Sequence, residues 1–368
     1  MTSDLQDNTE GIWDLDRWFE LIRELVMCHS PSGWEREIDL VLRSRLANLG
    51  HEVEQDWAGN IYVKIPASLE NCRSDAPPIA ITAHKDEIGA IAKRVEDNGR
   101  VSLRKLGGSF PWVYGEGVVD LLGDHQTVPG ILSFGSRHVS PESPQKVFQE
   151  TTAVTWETAW VETKRSPEEL TAAGVRPGTR AVVGKHRKAP FRLSPNHIAS
   201  YALDDKAALA ILLALAETVT EPWTDVYLVA SAKEEVGALG AMYFANQHRL
   251  GALLALEICP LSPEYPVEDG PKPVILSQDG YGIYDEDINY DLLAAATLAK
   301  VPVQTATLSG FGSDGSIAMK FGAVPRAACL SFPTQNTHGY EVAHLGAIAN
   351  CAKILTAYLN GGEQDQRV

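Results

Sequence analysis

The stretch from Ile88 to Ser194 most constrains what this chain can become, because its texture differs from everything around it. It holds six short β-like runs, IGAIAKRV, RVSLRKL, GVVDLL, TVPGILSF, AVTWETAWVE and TRAVVG, separated by Gly, Pro, Asp and Asn. Regular short strands with turn residues between them predict an all-β barrel or sandwich. On either side the pattern is of another kind. Apolar residues at helical spacing over 13–28 stop at Ser30, Pro31 and Gly33, and a second helix is expected over about 34–50. Strand-like runs follow at 60–65 and 79–84. Beyond Ser200, helices are expected over 205–217, 238–248, 285–300, 313–321 and 343–359, alternating with strands at 226–232, 253–258, 303–308 and 324–331. Such alternation predicts an α/β sandwich around a central sheet. Length alone suggests about two domains. The pattern replaces that with one discontinuous α/β domain, residues 1–88 and 196–368, split by a β-insert at 89–195.

Composition removes several classes of function. The 368 residues carry 32 Lys+Arg against 48 Asp+Glu, a formal charge of −16. Nucleic acids and anionic membranes need a basic footprint, so neither is an expected partner. A membrane span needs about 18 consecutive apolar residues, and the longest apolar stretch, Ala207 to Ala216, ends at Glu217. The opening MTSDLQDNTEG is acidic and polar, unlike a secretory signal. Cys28, Cys72, Cys259, Cys329 and Cys351 form no CxxC pair, which predicts reduced thiols in a cytoplasmic protein and no thiolate metal site.

Five places hold His or carboxylates where apolar runs end: His84-Lys85-Asp86-Glu87, Asp204-Asp205-Lys206, Lys233-Glu234-Glu235, Glu257 and His338. Strand ends on one edge of an α/β sheet are where ligands collect. His and carboxylate donors without Cys match a hydrolytic zinc, cobalt or manganese site. Each place also has an ordinary reading. Asp86 either orients His84 or is an unrelated neighbour. Asp204-Asp205 either caps the helix that follows or binds metal. Glu234-Glu235 is either a solvated strand end or, with side chains alternating, one ligand and one group facing a bound water. Glu257 has no local cation, and a buried carboxylate needs a partner or a metal. His338, between turn residues, is a surface group or a ligand. Their joint order is more specific than any member. His…Asp…Glu-Glu…Glu…His supplies one bridging carboxylate, a His and an acid for each of two metals, and one Glu left over as a base.

In these places the chain resembles the di-metal tetrahedral-aminopeptidase family, with its glutamyl and deblocking aminopeptidases, within the clan MH zinc exopeptidases. The resemblance is carried by SPSGWE (Ser30–Glu35), AHKDEIG (Ala83–Gly89), ALDDK (Ala202–Lys206), KEEVGALGA (Lys233–Ala241), LALEICP (Leu254–Pro260), GFGSDGSIAMKFGAVP (Gly310–Pro325) and THGYE (Thr337–Glu341). It implies a three-layer α/β/α zinc-exopeptidase sandwich with an inserted PDZ-like barrel for dimerisation. It implies two divalent metal ions per subunit, zinc first, with cobalt or manganese as alternatives. His84, Asp204 and Glu257 would hold one, and Asp204, Glu235 and His338 the other. Glu234 would be the general base, Asp86 the orienting carboxylate, and the Asp204–Asp205 peptide cis. Substrates would be peptides with a free N-terminus, and the assembly a homo-oligomer from dimer up to dodecamer.

Four departures are visible. HKDE replaces the family's HMDE and puts Lys85 beside the site, Glu257 stands where Asp is usual, His338-Gly339 replaces His-Ser, and DDK replaces DDR. Asp314, in a Gly-rich loop, either contacts the substrate's amino end or caps the helix ahead of it. His138, in the insert, either reaches an active site across an oligomer or is a surface His. A deacylase or carboxypeptidase of the same clan would share every ligand but would need a cation for the substrate carboxylate, with Arg326 and Arg192 as the nearest candidates. An inactive scaffold is the remaining alternative, and a cellulase reading leaves the two His residues unexplained.

Overall fold

Strand residues of opposite parity feed two separate cores. Leu254, Leu256 and Ile258 pack into one buried cluster, and Leu253, Ala255 and Cys259 into another, as the two-residue period of a strand requires. In the computed structural model, which describes residues 11–71 and 76–361, these residues belong to the strand Ala252–Pro260 at the centre of an 11-stranded sheet. Cys72 lies outside the described residues. The strands Val226–Ser231, Ile79–His84, Ala252–Pro260 and Ala327–Gln335 are neighbours in that order and run parallel. Their C-terminal ends therefore share one edge.

Helices cover both faces. Leu15–Val26, Leu203–Thr218, Glu286–Leu298 and Leu345–Leu359 supply the first core, and Leu239–Gln247 and Asp314–Lys320 supply the second. The helix Leu203–Thr218 is buried on every side from Ala207 to Ala216, which is why its sequence is apolar all round. Asp204 and Asp205 have non-helical dihedrals, so the regular helix starts after them.

The strands Gly89–Val95, Val101–Leu106, Trp160–Glu162, Thr127–Ser133, Gly117–Leu122 and Arg180–Val183 close in that order into a barrel with its own core. The all-β expectation for this region needs correction at four short helices, Pro111–Tyr114, Pro144–Thr151, Pro167–Ala172 and Lys185–Lys188. The helix Pro167–Ala172 opens with a capping box between Ser166 and Glu169. The strand Phe191–Ser194 pairs with His197–Ser200 and so joins the large sheet. The helix expected from 343 begins at Leu345, because Glu341–His344 is a strand that pairs with His197–Ser200. Among the described residues no helix is long and apolar enough to cross a membrane, and the four described cysteines are free and buried.

Candidate metal centre

The strands of the shared sheet edge deliver the candidate groups. His84 ends its strand, Glu257 lies within Ala252–Pro260, Glu234 and Glu235 follow Val226–Ser231, and His338 follows Ala327–Gln335. Three of the turns involved pass through the left-handed region, at Ala202 (φ 58°), Lys233 (φ 58°) and His338 (φ 61°). Residues with side chains adopt this conformation rarely, and it concentrates where surrounding structure imposes it. The Asp204–Asp205 peptide is cis, as the resemblance implies. Glu234 and Glu235 do not alternate on a strand. The strand stops at Ser231, and Glu234–Val236 is one turn of 3-10 helix that brings both carboxylates to the same cleft.

Asp204 stands between the two imidazoles. Its Oδ1 is 3.0 Å from His84 Nε2 and its Oδ2 is 3.3 Å from His338 Nε2, which in turn lies 3.6 Å from Glu235 Oε1. Donor atoms of His84, Glu234 and Glu257 lie within 4.8 Å of one another, as do those of His84, Asp204 and Glu235, and of Asp204, Asp205 and Glu257. Both rings give their other nitrogen to a carbonyl: His84 Nδ1 to Asp86 O at 3.0 Å, and His338 Nδ1 to Gly108 O at 3.4 Å. These carbonyl acceptors take the Nδ1–H of each ring and turn each Nε2 toward the carboxylates.

A surrounding set of contacts holds the backbone. The Asp86 carboxylate accepts from Ser32 Oγ (2.6 Å), Glu234 N (2.8 Å) and Glu235 N (3.2 Å). Glu341 accepts from Asp204 N and from His338 N, each at 3.0 Å. Gly108 must lack a side chain, since a Cβ there would lie 2.7 Å from the His338 ring. Sequence reading missed Glu341, Ser32 and Gly108. The first two stand inside quoted motifs, THGYE and SPSGWE, and the third in a Gly-Gly pair.

The electrostatics call for added positive charge. Burial pushes the Glu234 and Glu257 carboxyls well above the usual range and Glu235 up to about 7. Burial also opposes the charge on Asp204, but hydrogen bonds to His338 and His84 outweigh it and hold that carboxyl low. His338 is likewise raised to about 10 against its burial, by Glu235 and Asp204. Asp205 Oδ1 and Glu235 Oε1 are buried without a hydrogen-bond partner. Among the described residues lining the cleft, none is Lys or Arg. Unpaired buried carboxylate oxygens are costly unless they coordinate a metal, and an imidazole–carboxylate set without thiolate fits zinc, cobalt or manganese.

The other sequence candidates lie elsewhere. Lys85 does not face the cleft: its buried ammonium donates to Gly59 O at 2.7 Å and pairs with Asp39 and, at 3.4 Å, with Glu35. Asp314 is buried behind the site, accepting from Ser231 Oγ at 2.5 Å, and the helix cap is Ser313. Neither Asp314 nor the exposed His138 is among the cleft-lining residues. Arg326 is bidentate on Asp285, at 2.7 Å for both bonds, and Arg192 binds Asp16 and Leu15 O.

The chain is similar to known proteins over most of its length. A family model described as M42 glutamyl aminopeptidase matches residues 59–354. The glutamyl aminopeptidase of Lactococcus lactis subsp. cremoris is 24% identical over 321 residues, spanning 83% of this chain and 86% of that protein. Among solved structures, an aminopeptidase from the archaeon Desulfurococcus kamchatkensis superposes with a TM-score of 0.83 at 25% identity, covering 94% of this chain and 95% of that one. The TET1 peptidase of Pyrococcus horikoshii, described as assembling into a tetrahedron or a large octahedral shell, gives 0.81 at 23% identity, covering 92% and 98%.

Proposed function

Because the chain belongs to the M42 glutamyl aminopeptidase family, a family of peptide-hydrolysing aminopeptidases, we propose that it is a co-catalytic di-metal aminopeptidase acting on peptides with a free N-terminus. The observation that carries this reading is Asp204, one carboxylate whose two oxygens face two imidazoles. In the proposed set His84, Asp204 and Glu257 would hold one divalent cation and Asp204, Glu235 and His338 the other, with zinc favoured over cobalt or manganese. Bound there, such ions supply Lewis acidity and lower the pKa of water. Glu234 takes the proton from the attacking water and returns it to the leaving amine. Its burial-raised carboxyl suits both duties. Asp86 fixes the Glu234 backbone through its amide and turns the His84 ring.

The deacylase and carboxypeptidase alternatives are disfavoured by the cleft. They need a cation for a substrate carboxylate, and both candidate arginines are engaged elsewhere. For assembly, the reading is a homo-oligomer built from dimers, up to a dodecamer, with the barrel as a PDZ-like dimerisation element; the shells described for the P. horikoshii relative support homo-oligomerisation. We set the insert's end before Phe191, since that strand pairs in the large sheet. The buried free thiols support a cytoplasmic setting.

The decisive experiment is Glu234→Gln, assayed on aminoacyl p-nitroanilides with bound metal measured alongside. Loss of a general base should lower kcat/KM by about 10²–10⁴ while two metal equivalents are retained. Near-normal turnover with metals still bound would reject the base.

A further inference from the structure

The cleft that holds the six site residues measures about 880 Å³, and the larger side chains of its remaining wall are aromatic or aliphatic, set among glycines and a few polar residues. Phe110 and Trp112 enter from the barrel side with their rings 5.9 Å apart. They are 55% and 60% exposed, so aromatic surface is left open at the mouth. Tyr281 and Phe311 line it from loops of the α/β domain, above the buried Ile258 and Ile317. Beyond the proposed ligands and base, the only charged lining residue among those described is Glu264, which is exposed.

An exopeptidase cleaving the first peptide bond must place the N-terminal side chain beside the metals, within this cleft. A leucine or phenylalanine side chain there exchanges water for aromatic and aliphatic wall, which favours it in proportion to the apolar area buried. A glutamate side chain would lose hydration and meet no lysine or arginine among the described lining residues, since the exposed Lys320 lies over the Tyr281 ring and is not part of the wall. A lysine would meet only Glu264, and an exposed ion pair contributes little. We propose, resting on the aminopeptidase reading, that this cleft selects large apolar N-terminal residues, in the order leucine or phenylalanine, then lysine, then glutamate. The family description names glutamate, so the chain departs from that label at its own cleft wall.

The experiment uses the full chain reconstituted with zinc and a panel of Leu-, Phe-, Ala-, Lys- and Glu-p-nitroanilides. Expected is a kcat/KM for Leu or Phe exceeding Lys by about tenfold and Glu by about a hundredfold, the range a hydrophobic pocket provides. Preference for Glu or Lys overturns the inference while leaving the aminopeptidase reading intact. Absence of turnover on every member overturns both. Two variants locate the selectivity. Trp112→Ala should lower kcat/KM for Phe about tenfold more than for Ala, with metal content unchanged. Phe311→Arg should raise Glu relative to Leu about tenfold by adding the missing cation. If Trp112→Ala alters particle size while the Phe/Ala ratio stays fixed, the rings cover a subunit contact and the inference falls.

Discussion

Glu341 holds two residues of the metal centre by their backbones, one on each side of the cluster. Its two oxygens accept from Asp204 N and His338 N, so Glu341→Ala leaves one buried and one half-buried amide without an acceptor, a loss of about 1–3 kcal/mol for the buried one and less for the other. Because those amides belong to metal-site residues, the variant should also retain zinc about 10–100-fold less tightly. A competitive chelator titration measures this, and wild-type retention would contradict it. No local signal points to this role, since the Asp204 contact joins residues 137 positions apart. Lys85 teaches the converse. Adjacency to His84 suggested a place in the site, yet neighbouring residues on extended chain point to opposite sides, and the lysine runs instead to Asp39 and Glu35.

At the scale of elements, the junction between barrel and sandwich rests on one carboxylate between two buried lysines. Lys188 Nζ is 2.8 Å from both Glu87 oxygens and Lys206 Nζ is 3.3 Å from one. Both ammoniums also donate to Cys28 O, tying the turn after helix Leu15–Val26 to the same point. Burial would raise the Glu87 carboxyl, but Lys188 and Lys206 outweigh it and hold it at about 2. Lys188 is pushed the other way, down to about 7, by burial and by repulsion from Lys206, which together outweigh the attraction of Glu87. The folded pKa of Glu87 lies below the ordinary 4.5, so its stabilisation is present above pH 4.5 and lost as pH falls through about 2. Glu87→Gln should cost about 3–5 kcal/mol near neutrality by stranding buried lysines. Urea unfolding at pH 6 and pH 3 should show that gap narrowing by about 2 kcal/mol, and a gap independent of pH would contradict the assignment. The elements themselves were largely legible, because turn residues and a two-residue period mark the barrel strands. The strand Glu341–His344 was not, since four residues before an apolar helix carry no period of their own. The helix Pro167–Ala172 had a readable signal in its Ser166–Glu169 capping box.

For the whole molecule, the formal charge of −16 gains a location. Asp86, Asp204, Asp205, Glu234, Glu235 and Glu257 gather around two imidazoles, and among the described residues no lysine or arginine lines the cleft. Two divalent cations would offset that charge, so removing them should both stop hydrolysis and weaken the fold. A ligand at about a hundred times its Kd contributes about 2.7 kcal/mol to the bound state. In a chain of this size, chelation should therefore lower the thermal midpoint by about 5 °C or more, with zinc, cobalt or manganese restoring both properties. A chelated, metal-free protein with unchanged midpoint and full activity would end the di-metal reading.

The sequence by itself determined the alternation of layers, the interruption by a barrel, and the residue types and chain order of the donor set. These are local properties, carried by period, turn chemistry and side-chain identity. Tertiary structure alone decided that Asp204 stands between two imidazoles, that Lys85 and Asp314 turn away from the cleft, and that a barrel carbonyl orients His338. It also decided that aromatic rings, and no cation, wall the space where a substrate side chain must lie. The physical reason is distance along the chain. The contacts His84–Asp204 and His338–Gly108 span 120 and 230 positions, and only the packing of sheet against barrel brings such groups within hydrogen-bonding reach.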